Sequence, residues 1–432
     1  MNSYHYSSLT FPVSDFGQIK EKVLNWVQSF STFCLLDNHQ YQLAPHAEEC
    51  LVAAGVRRQV SCQAGKALDC LQAFQEEKKS WLFGHLSYDL KNETESLHSA
   101  LPDRIGFPDL FFFEPEIVLR LSEHQLTIEA DDPEFIYERI QHTPVHSPYK
   151  ESVAPDIKQT FTRDEYIEVI QALQRHIARG DCYEINFCQE FFAEDTGINP
   201  LRVYQELSRL SPNPFSAFYR MNEHWLICAS PERFLKKTGN RLLSQPIKGT
   251  SRRFPDNKEQ DELHREALYN SAKDRSENVM VVDLVRNDLS RVCKEGSVGV
   301  DELYGIYSFP QVHQMISTVS GTLRENTSLS QVLKATFPMG SMTGAPKKRV
   351  MELIEKYERS RRGIFSGAVG YIDPEGDFDF NVVIRSIMYN QATDCLSFQA
   401  GSGITHYSDP SAEWEECGMK AAAIIKVLKG GS

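Results

Sequence analysis

The sequence predicts an α/β or α+β fold. Strand-like and helix-like stretches alternate over most of its length, no internal repeat or low-complexity tract is evident, and 41% hydrophobic with 24% charged residues is ordinary for a globular chain. At 432 residues it can bury a large core, and length alone favours two or three domains.

Residues 1–140 read as a mixed region with short strands at 81–88, 110–113, 116–121 and 126–129. From Gln141 to Gln159, Pro144, Pro148 and Pro155 fall in a stretch of little periodicity, so a linker or long surface loop is expected between regions 1–140 and 160–430. Thr162 and Glu165 form a capping box that opens a helix to about Arg179, and Gly180 closes it. A strand at 183–192 follows, then a helix begun by Asn199-Pro200 and strands at 215–220 and 225–229. Ser230-Pro231-Glu232-Arg233-Phe234 comes next, and a Thr238-Gly239-Asn240 turn leads through a further strand into Pro246-Ile247-Lys248-Gly249-Thr250. Here Pro246 fixes one φ angle and Gly249 lets the backbone approach whatever Lys248 touches. Glu232 and Lys248 lie on adjoining segments that can pair.

From about Lys258 a helical spacing through Leu263, Ala267, Leu268, Ser271 and Ala272 runs on into the apolar stretch 279–285, which predicts one long buried helix. It holds Asp274, Arg275, Glu277, Asp283, Arg286, Asn287 and Asp288. Buried charges must be paired, hydrogen-bonded or metal-bound, so either a structural ion-pair network or a reactive site is implied. His313 lies in an otherwise apolar stretch, the usual setting of a satisfied core histidine. The glycine-rich run 337–347 enters a helix through Tyr357 with Pro346 in its first turn, and free N–H groups there can bind an anion. Strands at 364–372 and 378–389 flank an Asp373-Pro374-Glu375-Gly376 turn as a hairpin, and a strand at 395–400 ends in Gly401-Ser402-Gly403. A last helix, about 409–428, sets Glu413 and Glu416 on one face.

Several function classes lack support. A net charge of -13 disfavours nonspecific binding to nucleic acid or anionic membrane. The first residues lack a basic and an apolar signal region, and no run of about eighteen apolar residues exists, so export by that route and membrane spanning are not expected. Ten scattered cysteines without a CxxC pair fit reduced thiols in a cytoplasm. There is no HExxH, GxxxxGK[ST] or strand-GxGxxG-helix pattern.

Six ordered segments carry a resemblance: Ser230-Pro231-Glu232-Arg233-Phe234, Pro246 to Thr250, residues 273–289, residues 340–347, residues 400–404 and residues 412–416. Together they resemble the chorismate-utilising enzyme family, which includes the large subunit of anthranilate synthase, component I of aminodeoxychorismate synthase, isochorismate synthase and salicylate synthase. The resemblance implies a large mixed-sheet β-sandwich with helices packed outside, the loosely matching residues 1–140 packed into the same fold. It also implies Mg²⁺ bound by Glu277, Glu413 and Glu416 against the ring carboxylate of chorismate, in the oxygen-rich coordination that suits this ion. The second carboxylate falls to Tyr371, Arg385 and backbone near Gly401 and Gly403, with Gly249, Thr250 and Gly344 also facing substrate. Thr343 and His313 match residues lining the ring and the departing hydroxyl.

Branches of the family differ in what attacks the ring. Members that add water carry a general-base lysine on the strand corresponding to 183–192, where this chain has Glu184 and no lysine. Anthranilate synthases normally have alanine at the position of Lys248, whereas aminodeoxychorismate synthases have a lysine proposed to attack carbon 2 and expel the 4-hydroxyl. Lys248 therefore implies component I of aminodeoxychorismate synthase, serving para-aminobenzoate and folate biosynthesis, with anthranilate synthase and a non-catalytic binder of an anionic metabolite as alternatives. A nucleophilic Lys248 must have a depressed pKa, and Glu232, its acid–base partner, is expected to be protonated when substrate binds. None of the cysteines sits in a Gly-x-Cys-x-Gly elbow, so ammonia is expected from a separate glutamine amidotransferase subunit or from free ammonia. The product should keep its enolpyruvyl group. Leu35-Leu36-Asp37-Asn38 departs from the Leu-Leu-Glu-Ser motif near which anthranilate synthases bind tryptophan, which speaks against tryptophan regulation.

Overall fold

The computed structural model describes residues 7–41, 50–145, 154–310 and 312–430; part of the expected linker, 146–153, lies outside them. Two large sheets form. The twelve-stranded sheet runs from Ser7–Pro12 at one edge through Thr32–Asp37, Phe215–Met221 and His224–Ser230 to Ser386–Asn390, Cys395–Ile404, Glu184–Ala193 and the short Gly344–Ala345. The ten-stranded sheet runs from Ile247–Arg252 through Val312–Thr322, Arg241–Gln245, Arg233–Thr238, Phe378–Asn381 and Ala368–Ile372 to Leu82–Leu86, Leu110–Glu114 and Arg58–Cys62. The expected α/β sandwich is what forms, with pairing between described strands antiparallel throughout rather than mixed.

Strands on both sides of the 141–159 segment build both sheets: Thr32–Asp37 pairs with Phe215–Met221, and Leu82–Leu86 with Ala368–Ile372. Alternation explains how the central strands bury both faces. In Thr32–Asp37, Phe33 and Leu35 enter one core with helices Phe16–Val27, Arg163–Ala178 and Pro410–Leu428, while Cys34 and Leu36 face a second core shared with the ten-stranded sheet. Local signals hold where they were strong. Helix Arg163–Ala178 has the Thr162/Glu165 capping box, and Pro200 opens its helix behind the Asn199 cap. All ten cysteines are free, and no helix among the described residues is long and apolar enough to cross a membrane.

Two expectations change. The long helix is two, Lys258–Asn270 and Ala272–Ser290, divided where Ser271 caps the second by accepting from the Asp274 N–H. Nor is it buried all round: Glu277, Asn278, Val281, Val282, Val285, Asp288 and Leu289 face inward, while Val279, Asp283, Arg286 and Asn287 are exposed. Asp288 is neutralised by Lys347 at 2.5 Å, a structural pair. The strand expected at 378–389 also divides, into Phe378–Asn381 in the ten-stranded sheet and Ser386–Asn390 in the twelve-stranded one.

That division positions the site. The chain passes between the sheets at Pro231-Glu232, from His224–Ser230 to Arg233–Thr238, and again at Val382 to Arg385. The two corners are tied together: Val382 N–H donates to the Glu232 carbonyl at 3.0 Å, and Ala229 N–H to the Arg385 carbonyl at 3.2 Å. Arg385 makes its corner with φ +51, a left-handed conformation that costs a non-glycine residue about 1–3 kcal/mol and persists where surroundings impose it.

Candidate active site

Lys248 sits in a bulge. Strand Ile247–Arg252 pairs with Val312–Thr322 at Ile247 and again from Thr250, and the register shifts between them. The extra residue turns on Gly249, at φ +92, where a Cβ would lie 3.0 Å from Asp274. The bulge aims Lys248 Nζ at Glu184 Oε1, 2.5 Å away, with both side chains nearly buried. The expected pairing with Glu232 is thus not the ion pair that forms; Glu232 acts on Lys248 only at longer range. Nor is the lysine's pKa depressed in the bare site. Burial works to lower it, but Glu184, Glu277 and Glu232 outweigh burial and push it up to about 12. Lys248 is therefore an ammonium before any substrate arrives.

Glu232 and Arg385 occupy the two corners. Burial pushes the Glu232 carboxyl up to about 7, against the opposing influence of Ser341, Lys248, the Ile247 backbone and Arg385. Near neutrality it can hold or release a proton. Burial also lowers the Arg385 pKa, with Glu232 the one charge opposing it, and the guanidinium has no hydrogen bond or ion pair among the described residues. A half-buried guanidinium with no partner among the described residues, beside a carboxyl that titrates near neutrality, is ready for an anionic ligand, bidentate if that ligand is a carboxylate.

Further acidic side chains act on Lys248 from two helices. Burial pushes Glu277 up to about 7, with Lys248 and Lys273 pulling down and Glu184 pushing further up. Its Oε1 is buried without a hydrogen-bond partner. Glu413 is buried and accepts from the Ser402 hydroxyl at 2.5 Å. Lys273 Nζ lies 3.9 Å from Glu277 and 4.0 Å from Glu413, so one ammonium stands between the two carboxylates. Glu416 turns instead to Lys420 at 2.7 Å; burial would raise it, but Lys420, Lys273 and Lys248 hold it below the usual carboxylate range.

The glycines follow from close approach. A Cβ at Gly403 would lie 2.7 Å from Glu184 Oε1 and 2.9 Å from Lys248 Nζ, so the ion pair rests on this strand's bare backbone. At Gly401 and Gly344 a Cβ would instead meet backbone, 1.9 Å from the Phe187 carbonyl oxygen and 2.1 Å from the Glu184 carbonyl oxygen. Thr343 is buried beside Gly344, its hydroxyl donating to the Met339 carbonyl at 3.1 Å and its own carbonyl accepting from Asn186 N–H at 2.8 Å. The fully buried Glu358–Arg362 pair anchors this loop, with Arg362 donating to the carbonyls of Met342 and Asn186.

Three sequence-selected residues lie in other settings. His313 is buried with both nitrogens satisfied, as a core histidine should be: they contact Ser308 Oγ at 2.8 Å and Asp261 Oδ1 at 3.2 Å. Thr250 is exposed on the strand opposite Gln314. Tyr371 packs on Trp81 and Phe83, with ring centroids 5.6 and 6.0 Å away; burial and the carboxylates of Asp379 and Asp373 push its phenol far up. It makes no hydrogen bond or ring contact with Glu232, Lys248 or Arg385.

This arrangement can be set beside known proteins. The profile of a family described as chorismate binding enzyme matches residues 32–426, nearly the whole chain. The chain belongs to the chorismate-binding enzyme family. Among its relatives, the anthranilate synthase component I-like protein of Synechocystis is 35% identical over 356 residues, covering 81% of this chain and 73% of that protein. Aminodeoxychorismate synthase component 1 of Escherichia coli is also 35% identical, over 350 residues, covering 80% and 76%. The crystal structure of anthranilate synthase component I from Streptococcus pneumoniae superposes with a TM-score of 0.76 at 25% identity, covering 90% of this chain and 94% of that one.

In this chorismate-binding enzyme, sequence reasoning missed the ion-pair role of Glu184 and the bridging position of Lys273. The sequence marks Glu184 only by the lysine it lacks there, and Lys248 lies 64 positions away, so no local spacing pairs the two. Lys273 stands four residues before Glu277 on one helix, a spacing that places the two on one face.

A divalent cation can be tested against these residues. Carboxylate oxygens suit a hard ion, Glu277 Oε1 is buried without a hydrogen bond, and Lys273 already sets a positive charge between Glu277 and Glu413. Those two side chains fit Mg²⁺, which commonly takes one or two carboxylates and fills its remaining positions with water and substrate. Among the described residues no three acidic, histidine or cysteine side chains converge tightly enough to hold an ion as they stand.

Proposed function

We propose that this protein is component I of an aminodeoxychorismate synthase, converting chorismate and ammonia to 4-amino-4-deoxychorismate for para-aminobenzoate and folate synthesis. The observation that carries the reading is Lys248, nearly buried on a bulge that sets its direction, with Glu232 acting on it at longer range. Arg385 receives one substrate carboxylate, with backbone N–H groups near Gly401 and Gly403 assisting. Mg²⁺, held by Glu277 and Glu413 and by Glu416 once it leaves Lys420, would neutralise the other carboxylate and draw electrons from the ring.

Lys248, as a neutral amine, forms a bond to ring carbon 2 while the ring double bond shifts and the C4–O bond breaks. Glu232 gives its proton to the departing oxygen, which leaves as water. Ammonia then bonds to carbon 4, the double bond shifts back, and the bond to Lys248 breaks. The enolpyruvyl group is untouched. Ammonia is supplied by a glutamine amidotransferase subunit, or directly at high ammonium concentration.

Anthranilate synthesis is the second reading, favoured by the equal identity to the anthranilate synthase component I-like relative. Pyruvate separates the two. Chorismate consumption with Mg²⁺ and ammonium and without pyruvate release is the outcome expected of aminodeoxychorismate synthesis. One pyruvate per chorismate would replace it with anthranilate synthesis, and no consumption would favour a binding protein.

A further inference from the structure

A nucleophilic lysine must be neutral, yet Lys248 is an ammonium in the bare site. Glu184 is the group placed to resolve this. Its Oε1 accepts from Lys248 at 2.5 Å, while its Oε2 is buried without a partner. Both halves of the pair are fixed. The backbone of Glu184 pairs with Ala345 and presses on Gly344, leaving no room for a Cβ there. The carboxylate and ammonium lie together over Gly403, and Lys248 is set by the bulge at Gly249 against Asp274. Only a residue without a side chain leaves room beneath the pair, and Gly403 stands there.

Other charges face the pair from every side: Glu277 and Lys273 from helix Ala272–Ser290, Glu232 from its corner with Arg385 behind it, and Glu416 from helix Pro410–Leu428. Among the described residues none but Glu184 lies within ion-pair distance of Lys248.

We propose that Glu184 is the positioning residue for Lys248, holding the lysine in the bare site and accepting one proton from it when substrate fills the site. The use made of the freed amine rests on the aminodeoxychorismate reading. An N–H bond of the ammonium breaks and an O–H bond forms on Glu184, so –NH₃⁺ and –COO⁻ become –NH₂ and –COOH. Net charge is the same before and after, and no proton is exchanged with solvent. A bound ring displaces water, and loss of water disfavours two separated charges relative to the neutral pair. When the lysine is released from the ring, the proton returns to it.

The test compares full-length wild type, Glu184→Gln and Glu184→Asp with chorismate, Mg²⁺ and ammonium. In Glu184→Gln, KM for chorismate is expected to stay within about threefold while kcat near neutral pH falls at least about tenfold. Its kcat should then climb with rising pH, since the lysine must lose its proton to water, a slope that wild type lacks. Glu184→Asp keeps the flat profile at lower kcat, and decides the matter should the Gln variant fail to fold. A readout independent of the product is acylation of Lys248 in the substrate-free enzyme, followed by peptide mass spectrometry. Labelling should be about tenfold faster in Glu184→Gln, because the ammonium has lost its counter-charge. Unchanged labelling, or an unchanged kcat with the same pH profile, overturns the proposal. Pyruvate release by wild type would overturn the functional reading instead, and the labelling comparison would still decide the pairing.

Discussion

Arg385 and Glu232 show what the bare enzyme gives up for its ligand. A half-buried guanidinium with no partner among the described residues costs stability that an anion recovers. Arg385→Gln is therefore expected to melt at or above the wild-type temperature while chorismate affinity drops by about 2–5 kcal/mol, roughly thirtyfold or more. Parallel melting and binding measurements check this, and a destabilised variant with normal affinity would contradict it. Glu232 makes a pH prediction. Its folded-state pKa is raised from 4.5 to about 7, so its contribution to stability is full below about 4.5 and is lost as pH rises through 7. Glu232→Gln should thus gain on wild type by up to about 3 kcal/mol between pH 5 and 8, at roughly 1.36 kcal/mol per unit. Melting curves at the two pH values read the difference, and an equal offset at both would contradict the assignment.

Strand Cys395–Ile404 separates structural from functional glycine within three residues. At Gly401 a Cβ would meet backbone at 1.9 Å, whereas at Gly403 it would meet the ends of two side chains at 2.7 and 2.9 Å. Gly401→Ala should disrupt pairing with Glu184–Ala193 and lower the melting temperature. Gly403→Ala should keep most of its stability but lose at least about tenfold in turnover, because the Glu184–Lys248 pair is pushed aside. Elements also show what a single sequence hides. The capping box at Thr162 was legible because both of its partners lie within four residues. The break at Ser271 carried a similar local signal, an Asp three residues on, but it was absorbed into a helical spacing that fitted on either side. His313 reads as a satisfied core histidine and is one, but its partner Asp261, 52 positions away, has no local signal.

At the scale of the molecule, the site lies where the chain twice crosses between sheets, and no periodicity announces a crossing. Strand alternation made the sandwich's strands legible, and six short segments together made the family legible. The crossings at Glu232 and Arg385 were not, because a segment such as 378–389 reads as one strand whichever sheet its halves join. This architecture brings Glu184, Glu232, Lys248, Glu277, Arg385 and Glu413 from six separate segments around one site, and the central claim is that Lys248 there directs amination of chorismate. The most direct test is mass-resolved product analysis of wild type and Lys248→Ala with chorismate, Mg²⁺ and ammonium. A wild-type product with amino in place of hydroxyl and the enolpyruvyl group retained, lost in Lys248→Ala, is the predicted result. Anthranilate from wild type, or the same aminated product from Lys248→Ala at an undiminished rate, would contradict it.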